Sequence, residues 1–184
     1  MQLRESDSTV KKPSKSSSTI SICVLTYRRM DTLCDLLKSF ENISFRPMEV
    51  LVVDNDPDSN GKPILQLNFP SIKYMQMRKN LGVAARNEGI RQSSGDILIT
   101  IDDDVLGIGD LELQTAAGIF ASRPDIGAIC FKIMDYDSGR QCNWCHHYRK
   151  EEYSDKEFLT DEITEGAVAF RKSAVMEAGL YPEY

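Results

Sequence analysis

The sequence is poor in histidine, with only the adjacent pair His146 and His147, holds a single tryptophan, and has no excess of positive charge. Each shortage removes a class of function. A Ser-His-Asp hydrolase would have to draw its base from that one pair, and no G-x-S-x-G nucleophile elbow is present. The net charge of -6, with no segregated basic face, argues against nucleic acid as a partner, because phosphate-backbone binding needs one. The Gly-rich signatures of dinucleotide and P-loop sites are missing too. No segment approaches the roughly 18 consecutive apolar residues of a membrane span, so none is expected. The opening MQLRESDSTVKKPSKSSST lacks the apolar region of a signal peptide and reads as a disordered polar leader over residues 1–18. Five cysteines, an odd count in a chain of ordinary core composition, fit reduced thiols rather than a disulfide framework. Together these features predict a cytoplasmic location, with the inner face of a membrane as the variant.

What remains is ordinary globular material. A chain of 184 residues, 41% hydrophobic and 27% charged, suits one domain, here expected over residues 19–184. Short apolar, β-branched runs at 20–25 (ISICVL), 49–53 (EVLVV), 72–77, 96–101 (DILITI) and 126–133 predict strands. Leu33, Leu36, Leu37 and Phe40 fall at helical spacing, and residues 83–92 and 111–121 suit two more helices, the first stopped by Ser93-Ser94-Gly95. Strands alternating with helices imply an α/β fold with an open, mostly parallel sheet covered on both faces. In such sheets ligands bind at the carboxyl ends of the strands. The polar groups after Leu25, Val53 and Ile101 all occupy those ends. After Ile133 the rhythm breaks into a polar, aromatic stretch, expected to form a loop-rich excursion over the crevice, before a last element at 164–170 and a helix at 174–178.

The triplet Asp102-Asp103-Asp104 ends the strand DILITI. Adjacent carboxylates repel and a buried charge is costly, so something must offset them. A hard cation such as Mn2+ or Mg2+ does so with one or two carboxylates, substrate phosphates and water. Alternation in an extended segment lets Asp102 and Asp104 face one side while Asp103 points elsewhere. The same triplet, taken alone, also fits a solvated turn or a helix N-terminus.

The order ISICVLTYRR, EVLVVDND, NLGVAARNEGIRQSSGDILITIDDD and TEGAVAFRKSAVMEAGLYPEY resembles the family 2 glycosyltransferases, from about Ser18 to the C-terminus. The resemblance implies a GT-A fold, Rossmann-like, and a nucleotide-diphosphate-sugar donor. It implies that Thr26 and Tyr27 line the base and ribose, that Asp54 and Asn55 contact the base, and that Gly82 and Arg86-Asn87 close over the nucleotide. It makes Asp103 a further nucleotide contact and Asp102 and Asp104 the metal ligands of a DxD-type motif, with Mn2+ or Mg2+ bound. Asn55 and Asp56-Pro57 depart from the family pattern, which leaves the base open. The acceptor would be a hydroxyl of a glycan or lipid-linked saccharide, glycosylated with inversion after a carboxylate removes its proton. The family's base motif falls downstream of GLYPEY, so the resemblance implies a base beyond Tyr184, with Glu165 and Glu183 as weaker candidates. A noncatalytic nucleotide-sugar-binding module and a nucleotidyltransferase remain as alternatives. The loop TYRRMD lacks the Gly of the latter. Cys142, Cys145, His146 and His147 have zinc-ligand chemistry, but a structural site normally joins two such pairs.

Overall fold

The computed structural model describes residues 18–46 and 48–183, so all but the last residue of the expected leader lie outside the described part. Its centre is a six-stranded sheet. In chain order the elements are β1 (Ile20–Thr26), α1 (Met30–Ser39), β2 (Met48–Asp54), α2 (Gly61–Asn68), β3 (Lys73–Gln76), α3 (Arg86–Gln92), β4 (Ile97–Asp102) and α4 (Asp110–Ser122). They are followed by β5 (Ala128–Cys130), α5 (Lys150–Tyr153), β6 (Ala167–Arg171) and α6 (Lys172–Ala178).

The strand order is β3-β2-β1-β4-β6-β5. The pairs β3–β2, β2–β1 and β1–β4 are parallel, whereas β6 runs antiparallel to both β4 and β5. The expected α/β architecture is therefore present as a mixed sheet. The reversal at β6 has a chain-path cause. β6 follows the excursion from Phe131 to Gly166, which re-enters the sheet at the end where β4 finishes, so that Ala167 pairs with Ile101.

Period-two alternation divides the core between the two faces. Ile20, Ile22, Val24, Ile97, Ile99 and Ile101 pack with Leu33, Leu36 and Leu37 of α1, Leu65 of α2 and Leu113 and Phe120 of α4. Cys23, Val53, Leu98, Val168 and Phe170 pack on the other face with Ile90 of α3 and, at its margin, Val175 of α6. Being covered twice, β1 and β4 are buried nearly throughout, which explains their unbroken apolar runs.

The helix α2 was not among the expected elements, and it holds Pro63. It lies in the first turn, where a missing N–H leaves no bond unmade. The strand expected at 126–133 shortens to Ala128–Cys130, and the last strand lies at 167–171 rather than 164–170.

Candidate nucleotide site at the carboxyl ends of the strands

Parallel pairing puts the ends of β2, β1 and β4 side by side: Thr26 is opposite Asp54, and Leu25 is opposite Asp102. The ladder then carries on into the loops, with Asn55 N–H donating to Thr26 O at 2.9 Å and Asp102 N–H donating to Gly166 O at 2.9 Å. Leu25, Thr26, Tyr27, Arg29, Asn55, Asn80, Gly82 and Asp102 line an open pocket of about 250 Å³. Of the residues singled out from sequence as nucleotide or metal contacts, Thr26, Tyr27, Asn55 and Asp102 share this lining, whereas Asp54, Arg86, Asp103 and Asp104 do not.

The three aspartates take three different environments. Asp103 is fully buried and accepts from Thr26 Oγ1 at 2.6 Å, while its other oxygen pairs with Arg29. Burial pushes its carboxyl above the usual range, against the pull of Thr26 and Arg29, and the charges of Asp104 and Asp102 add to the rise. Asp104 is half exposed and pairs with Arg29 at 2.7 Å. Asp102 pairs with Arg86. The strand ends at Asp102 and residues 103 and 104 form a turn, so the alternation expected of an extended segment does not extend through the triplet; Asp103 turns inward, lines no part of the pocket and touches its lining through Thr26 and Arg29.

Arg86 was the arginine expected to bring positive charge to this acidic site; Arg29, which was not, offsets two members of the cluster, Asp103 and Asp104. Arg29 opens α1 beside the acidic strand end, and its proximity to residue 103 depends on the β1–β4 pairing. Arg86 is buried, with a side chain 4% exposed, and its Nε and Nη1 have no hydrogen-bond partner among the described residues. Its Nε lies 3.7 Å from Glu165 Oε2. Glu165 in turn accepts from the Tyr181 hydroxyl at 3.0 Å. Burial, then the Glu165 charge, pushes the Tyr181 phenol well up. Asn87 fastens this segment by exchanging two hydrogen bonds with the Tyr181 backbone, at 2.8 and 2.9 Å. Gly166, which backs Asp102, has φ 108°, a conformation that disfavours any side chain.

Tyr27 stands at the pocket edge, 38% exposed, with the Arg28 guanidinium 5.0 Å from its ring centroid. Arg28 has φ 56°, alone among the non-glycine described residues in the left-handed region, and its Nε donates to Asp56 at 3.1 Å. Strain of this kind at a pocket rim marks a loop held for a purpose by its surroundings. Asp54 is buried and gives no surface to the pocket.

A larger groove, of about 1650 Å³, runs between the excursion, α4 and α6. Trp144, Tyr153, Phe158, Phe131 and Leu180 line it, and Glu165 and Tyr181 stand at its end. Despite its size it lies beside the strand-end acids rather than beneath them. Within the excursion His146 packs edge-on against Trp144 and Phe158, and His147 Nδ1 lies 3.0 Å from Glu162. Among the described residues no three or more His, Cys, Asp or Glu side chains are grouped to hold a metal ion, so Cys142, Cys145, His146 and His147 do not form such a set. Glu183 is 3.7 Å from Arg91, away from the pocket.

The acids, arginines and Tyr-edged pocket thus gather at the carboxyl ends of the parallel strands, where sheets of this kind bind their ligands. The family model for glycosyl transferase family 2 matches residues 21–179, and the chain belongs to that family. It is 40% identical over 88 residues to the uncharacterised glycosyltransferase YwdF of Bacillus subtilis, across 46% of this chain and 32% of that protein. It is 31% identical over 90 residues to a GalNAc(5)-diNAcBac-PP-undecaprenol beta-1,3-glucosyltransferase of Campylobacter jejuni, across 46% and 29%. An uncharacterised protein of Haemophilus influenzae matches at 27% over 178 residues, 91% of this chain and 95% of that one. The fold is GT-A: a mannosyltransferase of Pyrobaculum calidifontis in complex with GDP-Man and Mn2+ superposes with a TM-score of 0.66 at 19% identity, over 94% of this chain and 51% of that one. TarS 1-349 of S. aureus with UDP-GlcNAc gives 0.65 at 20%, over 90% and 49%. The chain thus spans about half the length of these structures and about a third of YwdF.

Proposed function

We propose that the chain forms the donor-binding part of an inverting, metal-dependent glycosyltransferase that moves a hexose-type sugar from a nucleoside diphosphate to a hydroxyl. The observation that supports this reading is that Asp102 lines a pocket with Thr26, Tyr27 and Asn55, and that Asp104 pairs with Arg29, another residue of the same lining.

The donor set suits Mn2+ or Mg2+. Two partly exposed carboxylates, 35% and 51% exposed, offer hard oxygens to a cation that takes its other ligands from phosphate and water. Asp102 and Asp104 would hold it, and its positive charge would stabilise the departing diphosphate. Arg29, which bridges Asp103 and Asp104, is the cation that would give way there.

This chain's own groups do the positioning. Tyr27, held from one side by Arg28, presents its ring to the base, and Thr26 and Asn55 fill the ribose side. Asp54 and Asp103 support those contacts from beneath. Arg86, with two unpaired donors, fixes Asp102 and lends positive charge to an otherwise acidic site. The acceptor, a glycan or lipid-linked saccharide, enters from the groove beside Trp144. There its hydroxyl oxygen bonds to the anomeric carbon as the bond to the diphosphate breaks, and its proton passes to a carboxylate. Glu165, committed to Arg86 and Tyr181, serves Arg86 and is a poor base.

Calorimetric titration of UDP and GDP into the chain with Mn2+ tests the reading. Metal-dependent binding that Asp104→Ala abolishes is expected. Binding that ignores both Mn2+ and the substitution would sink it.

A further inference from the structure

Arg86 stands between two carboxylates and is bonded to only one of them. Its Nη2 pairs with Asp102 Oδ1, while its Nε faces Glu165 Oε2 at 3.7 Å, beyond hydrogen-bond range. The guanidinium is a rigid planar fork, so a shift that brings Nε onto Glu165 loosens the hold of Nη2 on Asp102. With the side chain 4% exposed and both Nε and Nη1 without a partner among the described residues, the fork has bonding capacity left to use.

The acids on either side of it are held from elsewhere. Asp102 N–H donates to the carbonyl of Gly166 at 2.9 Å, which fixes the end of β4 against the residue that follows Glu165. The Tyr181 hydroxyl donates to Glu165 Oε1 at 3.0 Å, which leaves Oε2 for Arg86. Tyr181 is pinned in turn by Asn87, the residue after Arg86: its N–H donates to Asn87 Oδ1 at 2.9 Å and its carbonyl accepts from Asn87 Nδ2 at 2.8 Å. The part free to adjust is the guanidinium.

We infer that Glu165 is a positioning residue, braced by Tyr181, that receives Arg86 as Asp102 turns to a divalent cation. The inference rests on the metal-dependent reading above. A cation at Asp102 repels the guanidinium and takes up part of the carboxylate's charge, so the Arg86–Asp102 pair weakens. A buried guanidinium left without a counter-charge is strongly unfavourable. Glu165 supplies that charge: closing 3.7 Å to the roughly 2.8 Å of a charged hydrogen bond completes the exchange. Glu165 thereby lowers the cost of admitting the cation, and by linkage the cation tightens the contact between Glu165 and Arg86.

A double-mutant cycle tests this, with Mn2+ titrated calorimetrically at fixed UDP into the wild type, Glu165→Gln, Arg86→Gln and the double variant. Glu165→Gln is expected to weaken Mn2+ binding about fivefold or more in the wild type and to have no further effect in the Arg86→Gln background. Mn2+ affinity unchanged by Glu165→Gln overturns the inference. So does an equal loss in both backgrounds, because the carboxylate then acts on the cation through space and not through Arg86. Tyr181→Phe alters no charge and is expected to weaken Mn2+ binding about threefold by releasing Glu165. Should Arg86→Gln fail to fold, Tyr181→Phe decides, and an unaltered Mn2+ affinity in it overturns the inference. A wild type that binds UDP without regard to Mn2+, or binds neither, overturns it together with the metal-dependent reading.

Discussion

The two ends of the sheet carry acids in opposite states. At the amino end, Glu49 of β2 accepts from Ser21 Oγ at 2.6 Å, from Ser94 N–H at 2.5 Å and Ser94 Oγ at 2.8 Å, and pairs with Lys73. Burial raises its carboxyl, but Lys73, Ser21 and Ser94 together outweigh it and bring the pKa down to about 2. Gly95 shares this corner, where a Cβ would stand 2.7 Å from the Ser21 backbone nitrogen. At the carboxyl end, Asp103 is buried with one hydroxyl donor, and its Oδ1 meets Arg29 as an ion pair without an aligned hydrogen bond. Arg86 Nε and Nη1 have no hydrogen-bond partner among the described residues. Buried polar groups are normally satisfied, so Glu49 is finished architecture whereas Asp103 and Arg86 retain unused bonding capacity.

Substitutions can break or sharpen this contrast. Arg86→Ala has the largest expected effect: removing one partner of a buried pair costs about 3 kcal/mol, the low end of the range because Asp102 keeps some solvent. Urea unfolding measures the cost, and nucleoside diphosphate binding should fall with it. Glu49→Gln should cost about 2 kcal/mol at pH 7, since several donors lose their acceptor, yet leave nucleotide affinity unchanged. The sign with pH follows from a folded pKa of about 2, below the ordinary 4.5. Glu49 contributes fully above pH 4.5 and the contribution is lost as pH falls through 2, so the variant's stability should vary less across that window. A loss of nucleotide binding in Glu49→Gln would erase the division between the ends.

Tyr181→Phe should cost about 1 kcal/mol and lower donor affinity a few-fold, because Glu165 then holds Arg86 less firmly. Asp103→Asn should be the mildest, within about 1 kcal/mol in urea unfolding at pH 7. Its folded pKa is raised, so its contribution is full below the ordinary 3.8 and lost as pH rises through the folded value. Ionisation of Asp103 is thus opposed by folding, opposite in sign to Glu49, and the amide is spared that cost. A large loss of stability in Asp103→Asn would place both ends in the same state.

The strands, most helices and the convergence of Thr26, Tyr27, Asn55 and Asp102 were legible because alternation and strand ends are local features of the chain. α2 was not foreseen: it is short, and only Gly61 and Leu65 are buried, which gives little periodicity to read. The reversed β6 was hidden because strand direction depends on where the excursion re-enters the sheet. Within the site, the role of Arg29 was missed: it ends the motif ISICVLTYRR, but its partners Asp103 and Asp104 are more than seventy positions away and meet it only through the β1–β4 pairing.

The sequence by itself determined the class of fold and the chemistry available at one edge, because burial pattern and residue type are written residue by residue. Only the tertiary structure decided which charges meet. Thr26 reaches Asp103 across 77 positions and Asn87 holds Tyr181 across 94, and both depend on strand register and helix seating. Hydrogen bonds need alignment to within fractions of an ångström, which periodicity does not specify.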